Sequence, residues 1–307
     1  MVRARTEALG AAGAAWRSGL PDLLRSLADE WHLVLGAPIA GGTAAYVVRA
    51  RTAQGADVVL KVPVPEEPSD AHLRVRVLSA AAGIGYVELL ELHHASGAHL
   101  LEGLGTSLAD SGRRPEQQLD TLAALLPLAW GVPKPADVTV APEEEKAAAV
   151  GRFVARMWEQ LGRPCPAGVR DRALRYAARR AAAFDLGRCV LVHGDPHPAN
   201  ALRVRRARPG TAAGYVFVDP DGFLADPAYD AGVALRDWSA QILRGADPAG
   251  LLRGYCRLLA GRTGLGEDAV WEWGYLERVS SGLHALELGA ADMAGPLLFS
   301  ATVLDRA

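Results

Sequence analysis

His193-Gly194-Asp195-Pro196-His197-Pro198-Ala199-Asn200 runs directly into Ala201-Leu202-Arg203-Val204, and a second run, Tyr215-Val216-Phe217-Val218, ends at Asp219. Two short apolar runs around a loop holding Pro209 and Gly210 predict a β-hairpin. Antiparallel pairing sets residues just before the first strand beside those just after the second, with opposed Cα atoms roughly 4.5–5.5 Å apart. Asn200 and Asp219 are therefore expected side by side, with Asp195 a few residues away. His193 and His197 stand at i and i+4, the spacing of zinc ligands on a helix. Pro196 and Pro198 forbid a regular helix there, so that geometry does not hold. His193 is expected to make structural hydrogen bonds beneath the loop.

Composition bounds the rest. The chain has 307 residues, half of them apolar, enough for one large or two smaller packed units. A net charge of −2 gives no basic footprint for nucleic acid. Cys165, Cys189 and Cys256 are widely spaced with no CxxC pair, which argues against a disulfide framework or zinc site and suits a reducing cytoplasm. The N-terminus carries no apolar core of signal-peptide type. The longest apolar run, near 121–132, is too short to span a bilayer. The expectation is a cytoplasmic protein, monomeric or weakly dimeric, with a small-molecule substrate and neither nucleic acid nor membrane as partner. Only three lysines, Lys61, Lys134 and Lys146, occur among 33 basic residues. A lysine that persists where arginine is otherwise used points to a need for its compact ammonium.

Along the chain, residues 7–31 predict helix with a break at Pro21-Asp22. Strands follow at 33–35, 46–49 and 58–62, with Gly41-Gly42-Thr43 in a turn between the first two. A helix is expected over 66–82, then strands at 87–90 and 99–102. Helical patterns cover 114–131, 142–160 and 167–185. A strand at 189–192 leads into the hairpin, and helices dominate to the end. The order predicts an α+β chain in two parts. Residues 1–102 would hold the N-terminal helices and a nucleotide-binding β lobe, and 103–307 a helical lobe with the catalytic loop and acceptor pocket, the nucleotide sitting between them.

The chemistry-bearing residues fit that division. Gly41, Gly42 and Thr43 form a turn whose backbone N–H groups can approach phosphates, or an ordinary hairpin turn. Lys61, mid-strand and flanked by apolar residues, is read as a cation aimed at nucleotide phosphates rather than an edge residue in water. Asp195 reads as general base or positioner for a hydroxyl, and Asn200 with Asp219 as oxygen ligands for Mg²⁺. Asp226 is expected to cap the next helix, and Asp230 to hold the catalytic loop from behind. Seven acids after Thr263 (Glu267, Asp268, Glu272, Glu277, Glu287, Asp292, Asp305) face only Arg278 and Arg306 in sequence. They make either a solvated surface or a pocket for a polycation. Asp237 and Glu277 are the candidates for acceptor contact. Trp271-Glu272-Trp273-Gly274-Tyr275 reads as core.

Taken together, these residues resemble the aminoglycoside phosphotransferase superfamily, nearest its streptomycin 6-kinase and hydroxyurea phosphotransferase branch. The motifs that carry it are Ala14-Ala15-Trp16, Gly41-Gly42-Thr43, Val59-Leu60-Lys61, Leu100-Leu101-Glu102-Gly103-Leu104, His193-Gly194-Asp195 with Asn200, Val218-Asp219-Pro220 with Asp226 and Asp230, and Glu277-Arg278-Val279-Ser280-Ser281-Gly282-Leu283. The resemblance implies a protein-kinase-like fold, with a small β-rich N-lobe and a larger, mainly helical C-lobe. It implies ATP and Mg²⁺ as cofactors, Asp195 as catalytic base, Asn200 and Asp219 as metal ligands, and Lys61 on the phosphates. Glu102, Gly103 and Leu104 would meet the adenine through backbone atoms. The activity implied is phosphorylation of a small-molecule hydroxyl, foremost on an aminoglycoside such as streptomycin, for resistance or self-protection. The family pairs its strand lysine with a helix glutamate, and Arg74 stands at the aligned position here, with Glu66, Glu67 and Asp70 as substitutes. Another metabolite hydroxyl, or a nucleotide-binding pseudokinase, are the alternatives.

Overall fold

The computed structural model describes residues 2–40, 45–65, 68–134, 138, 140 and 145–305. Gly41, Gly42 and Thr43 lie outside the described residues, as do Glu66, Glu67 and the side chain of Asp70. Contacts divide the chain into two compact units, Met1–Thr106 with Leu202–Val218, and Ser107–Ala201 with Asp219–Ala307.

The first unit begins with helices α1 (Val2–Ala8) and α2 (Gly10–Glu30). Strands β1 (Leu33–Pro38), β2 (Ala45–Thr52) and β3 (Asp57–Pro63) follow, then α3 (Pro68–Ala81), β4 (Leu89–His93) and β5 (Ala98–Glu102). The strands form one antiparallel sheet in the order β1-β2-β3-β5-β4. Alternation along β3 sets its two faces. Val58, Leu60 and Val62 are buried, and they join Leu27, Trp16 and Leu20 of α2 in an apolar core. With a side-chain period of two, Lys61 falls on the opposite face. It sits in the middle of the sheet, opposite Val47 of β2 and His99 of β5.

Three expectations are corrected. The break at Pro21 is absent and α2 runs through it. Pro21 is exposed, where its ring removes one helix hydrogen bond without ending the helix. The first strand continues through Gly36 to Pro38 across a register irregularity. The fourth strand starts at Leu89 rather than residue 87, because the Val87 N–H is spent on the carbonyl of Phe217, at 2.8 Å.

The second unit is helical. It comprises α4 (Pro115–Trp130), α5 (Lys146–Gln160) and α6 (Ala167–Ala182), and then α7 (Ala228–Ala234), α8 (Ser239–Arg244), α9 (Pro248–Thr263), α10 (Glu267–Glu287) and α11 (Ala291–Asp305). Helix α10 is its axis and packs on α5, α6, α7, α9 and α11. It buries Trp271, Trp273, Tyr275 and Leu276. Trp273 meets the Tyr229 ring edge-on at 5.1 Å, and Tyr275 meets Tyr176 at 5.4 Å, so the aromatic run is core as expected. Gly232 allows the approach of α7 to α10, since a Cβ there would lie 2.5 Å from the Trp273 Cβ. Cys165, Cys189 and Cys256 are buried and free. Among the described residues no helix is long and apolar enough to cross a membrane.

Candidate functional site: a catalytic loop and its hairpin

Short strands β6 (Val190–Leu191) and β9 (Leu224–Ala225) pair antiparallel. Their ladder extends outward, with Val192 N–H donating to the Phe223 carbonyl at 2.9 Å and Asp221 N–H to the His193 carbonyl at 2.7 Å. The chain turns away at Gly194, whose φ is +92°. A Cβ there would stand 2.6 Å from the Asp221 Cβ, so both conformation and space require glycine. Asp230, fully buried on α7, closes the loop from below. Its carboxylate accepts the N–H groups of His193 at 2.8 Å and Gly194 at 2.9 Å, and the Trp130 indole N–H at 2.8 Å. Burial pushes its carboxyl up to about 6, against the pull of those three donors. The buried His193 accepts the Asp195 N–H on Nδ1 at 3.1 Å, the supporting role expected of it.

Asp195 is set at the head of this loop. Its Oδ1 receives Nη2 of Arg236 at 2.5 Å, and its Oδ2 lies 3.4 Å from Nε2 of His197. Nδ1 of the same imidazole lies 3.6 Å from Asp237. Burial would raise the Asp195 carboxyl, but His197 and Arg236 outweigh it and hold the group well below the usual carboxylate range. Burial likewise opposes charging His197, yet Asp195 and Asp237 lift it from its ordinary 6.5 to about 9. A histidine raised in the fold contributes stability that is complete below about 6.5 and lost as pH climbs through about 9. Thermal unfolding of wild type and His197→Gln is expected to show a gap in Tm near pH 6 that narrows by pH 10. A gap that does not change with pH would contradict a charged imidazole.

Arg236 and Asp237 follow the end of α7, and a buried cation fixes that corner. Arg278 of α10 donates from Nη1 to the Ser239 hydroxyl at 2.6 Å and from Nη2 to the Leu235 carbonyl at 2.5 Å. Burial lowers this guanidinium to about 10. Glu277, its neighbour, is buried and turned to Arg236, with Oε2 3.9 Å from Nη1.

The loop ends in a 3₁₀ turn, Pro198–Asn200, and enters the hairpin of β7 (Ala201–Arg203) and β8 (Tyr215–Phe217). Asn200 stands immediately before β7 and Asp219 two residues beyond β8. The Asn200 amide nitrogen donates to the Asp195 carbonyl at 3.0 Å, which leaves the amide oxygen as the group that can act as a ligand. Asp219 has φ +55°, a left-handed backbone that aspartate adopts more readily than most residues other than glycine. An amide oxygen and a carboxylate are hard oxygen donors of the kind Mg²⁺ takes, so the donor set fits that ion.

Asp226 accepts the Ala228 N–H at 3.0 Å and caps α7 as expected. The C-terminal acids resolve toward a paired surface. Glu272 bridges Arg179 at 2.6 Å and Arg180 at 2.8 Å, Asp305 meets Arg172 at 2.8 Å, and Asp268 and Glu267 face Arg253. Their cations come from α6 and α9, outside the window where the acids were counted. Sequence reasoning missed Arg236 altogether and gave His197 no role beyond an unformed zinc pair. No spacing rule connects Arg236 to an aspartate 41 residues earlier.

Comparison with known proteins places the chain. The model of the phosphotransferase enzyme family (APH) matches residues 36–268. A streptomycin 6-kinase of Streptomyces glaucescens is 28% identical over 289 residues, 92% of this chain and 89% of that protein. A hydroxyurea phosphotransferase of Kitasatospora aureofaciens is 30% identical over 224 residues, 72% of this chain and 62% of that one. Among solved structures, a spectinomycin phosphotransferase in complex with ADP and spectinomycin superposes with a TM-score of 0.57 at 13% identity, covering 93% of this chain and 98% of that one. The fold is α+β and protein-kinase-like, a five-stranded antiparallel sheet joined to a helical unit. The chain belongs to the phosphotransferase enzyme family, and its reaction is phosphoryl transfer to an alcohol group.

Proposed function

We propose that this protein transfers the γ-phosphoryl group of ATP, with Mg²⁺, to a hydroxyl of a small molecule, and that a streptomycin-type aminoglycoside is the acceptor. The observation that carries the reading is Asp195, clamped by Arg236 and His197 on a loop whose far end ties Asn200 back to the Asp195 carbonyl through its amide nitrogen. A carboxylate held so far below its ordinary range is a weak base. Phosphoryl transfer tolerates that, because its loose transition state asks for positioning and charge neutralisation more than for early proton removal. Asp195 therefore accepts the acceptor's hydroxyl hydrogen bond and aims its oxygen, taking the proton as the new P–O bond forms. Asn200 and Asp219 would hold Mg²⁺, which when bound neutralises phosphate charge.

In the first unit, Lys61 would hold the phosphates, with Gly41, Gly42 and Thr43 in the adjoining turn. The adenine would lie along Glu102, Gly103 and Leu104. The Glu102 N–H is taken by the Glu88 carbonyl and the Gly103 N–H by the Asp57 carbonyl, both at 3.0 Å. The Gly103 carbonyl and Leu104 N–H are the groups offered to the base. Asp237, whose side chain is 34% exposed, would be the acid that meets an acceptor cation, and Glu277 would act by orienting Arg236. The protein would act in the cytoplasm as a monomer or weak dimer, in resistance or self-protection.

A second reading, another metabolite hydroxyl, draws on one observation. The C-terminal acids are largely matched by arginines, which leaves a polycation little net negative surface. The two separate by assay. ATP consumption and product mass, measured over streptomycin, other aminoglycosides and neutral polyols, are expected to show phosphorylated streptomycin. Turnover of neutral polyols alone would overturn the aminoglycoside assignment, and no turnover with any acceptor would overturn the activity.

A further inference from the structure

Arg208 lies in the loop that joins β7 to β8, a place where a solvated side chain is ordinary. It is instead mostly buried, its side chain only 19% exposed. Its guanidinium donates to the Tyr86 carbonyl at 3.0 Å and, in closer contacts, to the Gly83 carbonyl and the Glu102 carboxylate. The Glu102 carboxylate also accepts the Glu88 N–H at 3.0 Å. The seat is built for this side chain. A Cβ on Gly83 would stand 3.0 Å from Nη1 of Arg208.

Backbone bonds run the same way on both sides of the hairpin. Gly85 donates to Gly210 at 2.7 Å, Phe217 to Gly85 and Val87 to Phe217 at 2.8 Å each. On the other side Gly105 donates to Arg203 at 2.7 Å, and Arg203 to Thr106 at 3.0 Å. Arg205 reaches the Leu104 carbonyl at 3.2 Å and the Asp57 carboxylate at 3.0 Å. The stretch 102–106 and the hairpin are thus one piece of the first unit. Asn200 and Asp219 hang covalently from the two ends of that piece.

We propose that Arg208 is a positioning residue for the nucleotide. By tying Glu102, at the base-binding stretch, to the hairpin whose two ends lead to Asn200 and Asp219, it holds the base-binding stretch and the hairpin in one arrangement. The inference rests on the phosphotransferase reading above. Arg208 touches neither nucleotide nor acceptor and acts through Glu102 and the hairpin.

The test uses the full chain and compares Arg208→Met, Arg208→Lys and Glu102→Gln with wild type. Folding is checked by thermal unfolding, and KM is measured separately for MgATP and for acceptor. Loss of one buried charge-assisted contact corresponds to about a tenfold change. Arg208→Met is therefore expected to raise KM for MgATP about tenfold and to raise the Mg²⁺ concentration needed for half-maximal rate, with KM for the acceptor unchanged. Lysine keeps the charge but not the fork and should restore part of the loss. Glu102→Gln, the milder change, guards against a methionine variant that does not fold. Folded variants with wild-type KM for MgATP, or with both KM values rising together, would overturn the inference alone. Failure of wild type to bind MgATP would instead remove the phosphotransferase reading, and this inference with it.

Discussion

Asp195→Ala is expected to lower kcat by about a hundred- to ten-thousand-fold, the range typical of a positioned proton-transfer group. The fold should be kept but weakened: the main-chain bonds of Asp195 to His193, His197 and Asn200 do not use the carboxylate, whereas Arg236 and His197 lose their paired anion. The same change leaves Arg236 without its closest anion, so that among the described residues the guanidinium keeps Glu277 and Asp237, at 3.9 and 4.0 Å. KM for MgATP should change much less than kcat. Steady-state rates at saturating substrates check this, and a kcat within threefold of wild type would remove Asp195 from its role.

Asp230→Ala should instead destabilise the protein. The substitution strands three buried donors, the N–H groups of His193 and Gly194 and the indole of Trp130. Each stranded donor costs about 1–3 kcal/mol. The loss is expected to exceed about 3 kcal/mol, enough to threaten a domain of ordinary stability. Activity would fall with it, since Gly194 sets the direction in which Asp195 leaves the ladder. Denaturant unfolding at pH 7 reports the first effect directly. A cost below about 1 kcal/mol would mean that solvent or a neighbour reaches the stranded groups.

The contrast between those two aspartates shows what was legible in the sequence. Asp195, Asn200 and Asp219 were proposed from local placement: a strand, a proline-stiffened loop and a hairpin hold them within 25 residues of one another in the chain. His193 was readable as a support for the same reason, and Asp230, whose loop partners lie 36 and 37 residues away, through the motif it shares with Asp219 and Asp226. Lys61 drew notice by its rarity, and the alternation of β3 sets it on the face opposite the core. Arg236, Arg278 and Arg208 drew none, since each finds its partners 41, 43 and 106 residues away. In a chain whose basic residues are nearly all arginine, none of the three stands out in composition. The acids of the last 45 residues left two readings open, a solvated surface or a polycation pocket, for the matching reason. Their arginines lie on α6 and α9, which only the packing around α10 brings near. Pro21 deceived differently, because an exposed helix face tolerates a ring that a buried one would not.

Crystals grown with Mg²⁺ and a non-hydrolysable ATP analogue would examine the arrangement at its centre. Asn200 Oδ1 and the Asp219 carboxylate are expected to bind the metal at about 2.0–2.1 Å, with the γ-phosphoryl group facing Asp195. A metal bound elsewhere while Asn200 and Asp219 stay apart from it, or a γ-phosphate out of reach of any hydroxyl that Asp195 could hold, would contradict the assignment of all three residues.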